Sequence, residues 1–312
     1  MGRYDFDDVR SQPAPSPSES DRGGAGLRRD HKPQIRPLPD RIQSRTRAVG
    51  RGIPQHRLTL PSGPQREPVR DEARVFHLRG SEVDLLERAA QFRAVFTDDL
   101  KHDTGNADRF RDDLRSLKHQ ELLEERTVTR VRDGKVADVV SVTRAGKALL
   151  DHHRDPRHNL GQVYYAGWVK PAEIWHDASL FRMYREVEPE VEREGGHIRR
   201  VVLDDELKAR AYRALHDAEK EQVSGEDARS AVAAVQGLHV EDDRFVFPDV
   251  RLEIEDSDGT VRDIDLELVT EHYHRGHVCG KAAAGFRMFG GSSSGTRGGT
   301  PRDPHAIERL LR

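Results

Sequence analysis

A chain of 312 residues has room for about two domains of the usual ~100–200 residues. With 35% hydrophobic and 34% charged residues it is polar for a globular protein, so part of it is expected to stay unfolded. A single cysteine, Cys279, excludes an internal disulfide, no apolar run approaches the ~18 residues that span a bilayer, and charged residues follow Met1 where a signal segment would be apolar. A cytoplasmic protein without a membrane partner is the expectation.

The net charge of −3 conceals an asymmetry. Between Arg28 and Arg57 stand Arg28, Arg29, Lys32, Arg36, Arg41, Arg45, Arg47, Arg51 and Arg57, opposed only by Asp30 and Asp40. Such an arm is either a polyanion contact or a solvated tail. Residues 1–72 are rich in Pro, Ser, Gly and Arg and have no sustained apolar period, so the whole stretch reads as a disordered basic arm.

Helical periodicity begins after Arg74, where Leu85, Ala89, Phe92 and Phe96 fall on one face. Thr97 is placed to cap a second helix with Asp98 and Asp99 in its first turn. Gly105-Asn106 breaks the chain, and a third helix follows with Phe110, Leu114 and Leu117 on its apolar side. Two strands are expected over Arg126–Arg132 and Val136–Thr143, joined by the turn signal Asp133-Gly134. Thr143 then caps a helix running to Leu150. Helix, helix, helix, hairpin, helix within residues 73–150 is the order of a winged helix.

That order suits duplex DNA. Arg111, Arg115 and Lys118 lie at i, i+4 and i+7, beside the apolar stripe of the third helix. They can face a major groove, while Arg130, Arg132 and Lys135 on the hairpin lie along phosphates. A winged helix used for protein contacts is the alternative. The segment Thr143-Arg144-Ala145-Gly146-Lys147-Ala148-Leu149-Leu150 resembles the strand-to-helix ending of regulators of the multiple-antibiotic-resistance type.

Residues 151–168 read as a linker or an irregular bridge, and Tyr164-Tyr165 within them as packing residues. The expected second domain covers 169–289. It starts with a helix near Pro171 that Pro189 ends or bends, then a strand at His197–Leu203. Helices follow at Asp204–Gln222 and Glu226–Leu238. Strands at Phe245–Glu255 and Val261–Val269 turn at Asp258-Gly259, and a helix spans His274–Phe289. Gly290–Gly299 is a flexible linker and His305–Arg312 a short last helix.

In Asp263-Ile264-Asp265-Leu266-Glu267-Leu268-Val269 the acids alternate with apolar residues and share one strand face. Carboxylates on adjacent strands are what a Mg²⁺-dependent phosphodiesterase needs, because hard oxygens hold the ion. A solvated acidic sheet face gives the same pattern. His176-Asp177 reads as a surface pair. His272, His274, His277 and Cys279 cluster without a second ligand pair, so zinc is not expected.

Pro248-Asp249 followed by Glu267 resembles the PD-(D/E)xK nuclease superfamily, with one departure: Val269 stands where that pattern has lysine. The resemblance implies a restriction-endonuclease-like α/β domain in which Asp249 and Glu267 hold Mg²⁺ and Lys281, one helix later, replaces the missing lysine. Over about residues 75–289 the chain is similar to the replication-relaxation proteins of plasmids and mobile elements, through Phe247-Pro248-Asp249, Asp265-Leu266-Glu267 and Lys281-Ala282-Ala283-Ala284-Gly285-Phe286. The expected fold is thus α+β, a winged helix before a nuclease-like domain. Two functions stay open: a Mg²⁺-dependent DNA endonuclease acting in replication or relaxation, and a non-catalytic transcriptional or copy-number regulator.

Overall fold

A computed structural model describes residues 58–71, 74–103, 106–155, 161–221, 225–269 and 280–290, and all of them belong to one compact unit, Ala48–Arg312. The arm before residue 58, the segment holding His272, His274, His277 and Cys279, and the tail beyond Gly290 lie outside the described residues. The fold is mixed α+β. No helix among the described residues is long and apolar enough to cross a membrane.

Order begins earlier than the composition predicts. Within the expected arm, Leu58, Leu60 and Val69 are buried, and β1 (Glu67–Arg70) pairs antiparallel with β2 (Val75–Leu78). Pro and Gly dominate the average here, but a few apolar side chains suffice to anchor a short strand. The segment is also packed by contact: a Cβ on Gly80 would stand 2.4 Å from the Ser62 carbonyl oxygen.

Helix α1 (Gly80–Ala90) buries Val83, Leu85, Leu86, Ala89 and Ala90. It ends sooner than the apolar spacing suggests. Phe92 lies beyond its C-cap, and Phe96 belongs to β3 (Val95–Phe96), a strand too short to be seen as a period. Helix α2 (Thr97–Asp103) follows. Helix α3 (Ala107–His119) starts where Asn106 accepts the backbone N–H groups of Asp108 (3.1 Å) and Arg109 (3.0 Å), so the Gly-Asn break is a cap. Its buried face is Phe110, Asp113, Leu114 and Leu117. Glu121 closes it with a left-handed φ of 58°, the Leu122 N–H reaching back to the Leu117 carbonyl at 2.9 Å.

Strands β4 (Leu123–Thr129) and β5 (Val136–Val142) form the hairpin, in register from Leu123 opposite Val142 to Thr129 opposite Val136. The first strand therefore stops three residues short of Arg132, and Arg130–Lys135 form the turn. β3 adds to β5, giving a three-stranded antiparallel sheet in the order β3-β5-β4. Thr143 accepts the Gly146 N–H at 3.0 Å and caps α4 (Arg144–His152). Gly146 is required there, since a Cβ would stand 2.4 Å from the Leu122 carbonyl oxygen.

Within the expected linker or bridge, residues 161–168 are packed and are not a free connection. Tyr164 is 2% exposed, and its hydroxyl donates to Glu87 at 2.9 Å. Gln162 bonds both the N–H and the carbonyl of Val201 (2.8 and 2.9 Å). One continuous apolar core runs from Leu58 to Leu268, so the halves share an interior.

Helix α5 (Ile174–Arg193) begins after Pro171 and continues through Pro189, which was expected to end or bend it. Strand β6 (His197–Leu203) runs directly into α6 (Asp204–Lys220), followed by α7 (Gly225–Gln236). The expected strand Phe245–Glu255 is split at Pro248, whose missing N–H cannot serve a ladder. Its first part is β8 (Arg244–Val246), paired with β7 (His239–Glu241), and its second is β9 (Val250–Glu255). β10 (Val261–Val269) and β11 (Arg287–Gly290) complete the sheet β11-β10-β9-β6, in which only β10 and β11 are parallel. The expected helix to Phe289 is shorter: a helical turn covers 280–283, and β11 takes Arg287–Gly290. Gly285 makes that change of direction with a φ of 85°. A second, smaller core of Ala211, Leu215, Ala228, Val232, Ala233, Leu238 and Phe245 unites α6, α7, β7 and β8.

Candidate functional site

Asp249 immediately precedes β9, and Glu267 lies on the neighbouring β10. Their backbones and side chains clamp each other: the Asp249 N–H donates to Glu267 Oε2 at 3.2 Å, and the Leu268 N–H donates to Asp249 Oδ2 at 2.8 Å. Glu267 is fully buried. A carboxylate there requires a compensating charge, and Lys281 supplies it, with Nζ paired to Glu267 Oε1 and also donating to the Phe247 carbonyl at 3.3 Å. The turn at 280–283 aims Lys281 inward. It is closed by the Phe286 N–H on the Lys281 carbonyl (3.1 Å) and the Gly285 N–H on the Ala282 carbonyl (3.0 Å). The three residues singled out in the sequence therefore meet, and the lysine reaches Glu267 from outside the strand that carries Val269.

A fourth residue joins them that the sequence did not single out for this role. His176, in the first turn of α5, points Nε2 at Asp249 Oδ1 (3.6 Å) and Nδ1 at Asp177 Oδ1 (3.1 Å). Asp177 is 3% exposed and also meets Arg93 at 3.4 Å. Burial alone lowers the affinity of His176 for its proton, but the bonds to Asp177 and Asp249 outweigh it and push the imidazolium up to about 10. The 72 residues between His176 and Asp249 hide this meeting from any local pattern.

Asp249 at the entry to β9 and Glu267 on β10 are hard oxygen donors of the kind Mg²⁺ takes, an ion that keeps several waters and uses one or two protein carboxylates. No group of three or more His, Cys, Asp or Glu among the described residues is arranged to hold a metal ion. Asp249 and Lys281 open into a cleft of about 680 Å³, also lined by Lys208, Arg244, Phe245 and Phe247. Arg251, by contrast, occupies the acids nearer the strand centre. It binds Asp265 through Nε and Nη2 at 2.7 Å each and the Gly237 carbonyl at 2.8 Å, so Arg251 ties the end of α7 to the sheet.

The expected DNA-facing cations are displayed unevenly. Arg111, Arg115 and Lys118 are all exposed on α3. Arg111 pairs with Asp108 one turn earlier, and Lys118 reaches Glu125 of β4 at 2.5 Å. Arg115 has no partner among the described residues. On the hairpin, Arg130 pairs with Asp133, holding that carboxyl down at about 2, and stacks 4.8 Å from the ring centre of Trp175. Arg126 stacks on Trp168 at 4.4 Å. These contacts fasten the hairpin to the second half of the chain. Arg132 and Lys135 are exposed at its tip.

Comparison with known protein families, curated proteins and solved structures finds no match to this chain.

Proposed function

We propose that this is a DNA-binding protein of a plasmid or other mobile element, acting in DNA replication or relaxation. Residues Gly80–His152 serve as a winged helix on duplex DNA, and a nuclease-like second half works on phosphodiesters. The observation that carries the second part is the convergence of Asp249, Glu267 and Lys281 from three separate elements, with Asp249 and Lys281 opening into a cleft and Glu267 buried behind them. The order of helices, the hairpin and the exposed Arg111, Arg115 and Lys118 support the first part.

Asp249 and Glu267 would hold Mg²⁺, which supplies Lewis acidity and an acidified water. The chain's own residues do the rest. His176 orients the Asp249 carboxylate, and Asp177 fixes the angle of that imidazolium ring. Lys281 sets a positive charge beside the position where phosphate oxygens gain negative charge. The β9–β10 clamp holds both carboxylates rigidly, so little reorganisation is left to the reaction.

The second reading is a regulator without chemistry. It is favoured by one observation: the four oxygens of Asp249 and Glu267 all face protein donors already, from Leu268, His176, Asp249 and Lys281. Incubation with supercoiled plasmid separates the two. The nuclease reading expects nicking or linearisation in Mg²⁺ or Mn²⁺, abolished by Glu267→Gln, with duplex mobility shifts unchanged. Equal activity of parent and variant, or no cleavage with either ion, leaves only the regulator.

A further inference from the structure

Beside the acids, two aromatic rings line the cleft and a third packs against them from outside its lining. Phe245 and Phe247 line it, their ring centres 5.8 Å apart, and Tyr212 of α6 stands 6.0 Å from each. Phe245 is buried in the smaller core, which accounts for it. Tyr212 is not accounted for in that way. It is 56% exposed, and among the described residues no other Phe, Tyr or Trp is exposed. An exposed ring backed by two others, next to a charged cleft, is a surface on which a flat group can stack.

The charges say how a polyanion would be held. The lining contributes the cations Lys208, Arg244 and Lys281, against the carboxylates of Asp204, Glu241, Asp242 and Asp249. Near-neutral balance gives no strong electrostatic funnel for a duplex backbone. Affinity here has to come from ring faces, with individual cations placing a phosphate. Arg244 is one of these. It follows a two-residue turn in which Asp242 and Asp243 both adopt left-handed backbones (φ 48° and 60°), a conformation asparagine, aspartate and glycine tolerate best. Ring faces of bases are accessible only where bases are unpaired, since a duplex keeps them stacked on one another.

We propose that the cleft takes a single-stranded or locally unpaired nucleic acid strand, with Tyr212 and Phe247 stacking on a base and Arg244 and Lys281 flanking the adjoining phosphate. This rests on the reading of the cleft as a phosphodiester site and names its substrate class. It divides labour within the chain: α3 and the hairpin hold duplex, while the cleft receives a strand released from it.

The test is fluorescence anisotropy with the full chain, using a labelled single-stranded oligonucleotide and the duplex of the same sequence. Tyr212→Ala is expected to weaken single-strand binding on the order of tenfold, the usual worth of one base stack, and to leave duplex binding unchanged. Tyr212→Phe keeps the ring and should keep the affinity, and thermal melting of both variants checks that the fold is intact. Loss of neither affinity, or an equal loss of both, overturns the proposal. Metal-dependent cleavage is read separately on the parent protein. Cleavage without any effect of Tyr212 sinks this inference alone, and a selective Tyr212 effect without cleavage sinks the catalytic reading while the strand-binding cleft stands.

Discussion

The cations of α3 and the charged group behind the cleft are built on opposite terms. On α3, Arg111 pairs with Asp108 and Lys118 with Glu125 at the surface, where water solvates both partners and an ion pair is worth ~0–1 kcal/mol. Such pairs open readily, so either cation can exchange its carboxylate for a phosphate. In the cleft wall, Glu267 is fully buried and Lys281 is tethered to it and to the Phe247 carbonyl. Those charges cannot separate without leaving a carboxylate in a dry interior. Surface charges are free to exchange partners, whereas buried charges keep the geometry they were folded with.

The largest effect is expected from breaking the buried pair. Lys281→Met should destabilise the chain by roughly 3–5 kcal/mol, the usual cost of stranding one member of a buried ion pair, read as a lower urea midpoint. Pairing it with Glu267→Gln should recover most of that loss. If the double variant is no more stable than Lys281→Met, the pair is not what Glu267 depends on.

On the other side of the comparison, the loss is in binding and not in stability. Arg115→Ala should weaken duplex affinity by ~1–3 kcal/mol, the range of a groove contact, with an unchanged melting temperature. Arg111→Ala and Lys118→Ala should each weaken it less, because an existing pair must open first. Equal effects from all three would show that the surface pairs do not compete with DNA. Gly146→Ala tests the support beneath that surface. It forces a methyl against the Leu122 carbonyl and should cost about 1–3 kcal/mol of stability by overpacking.

The cleft pair should also respond to pH. His176 has its folded-state proton affinity raised from 6.5 to about 10, so its bonds to Asp177 and Asp249 contribute fully below about 6.5 and are lost as pH rises through about 10. Wild-type stability relative to His176→Gln should therefore shrink between those values. A parallel pair of stability curves would remove the imidazolium from the account. The smallest change is Glu121→Gly, which relieves a left-handed backbone at the end of α3 and should stabilise by ~0.5–1 kcal/mol, its exposed pair with Arg74 being worth little.

Elements with a sustained period were legible in the sequence. Strand β6 runs over His197–Leu203 as its pattern predicts, and β10 covers Val261–Val269 up to the turn at Asp258-Gly259. What escaped detection depends on contacts between distant residues. β3 has two residues and exists because β5 lies beside it, so Phe96 passed for one more helical position. β11 exists because β10 pairs with it, and its residues were absorbed into a helix. The site shows the same division. Asp249 and Glu267 were visible as acids in strand pattern and Lys281 through a family resemblance. His176 reads as a surface residue in the sequence, because the path from α5 to β9 is tertiary. Tyr212 carried no signal at all, since exposure beside a cleft is a property of the fold.

The continuous interior from Leu58 to Leu268 joins the two halves of the described chain. With Tyr164 buried in that interior and Gln162 bonded to β6, no hinge separates the two halves at residues 161–168. The halves cannot be excised and studied as modules, because a cut there exposes apolar surface on both pieces. Heating should melt them as one cooperative unit, with calorimetric and van't Hoff enthalpies in agreement. A duplex held by α3 would then lie at a fixed offset from the cleft, so the distance between a bound site and any strand processed nearby would be set by the fold, like the jaw and anvil of one rigid tool.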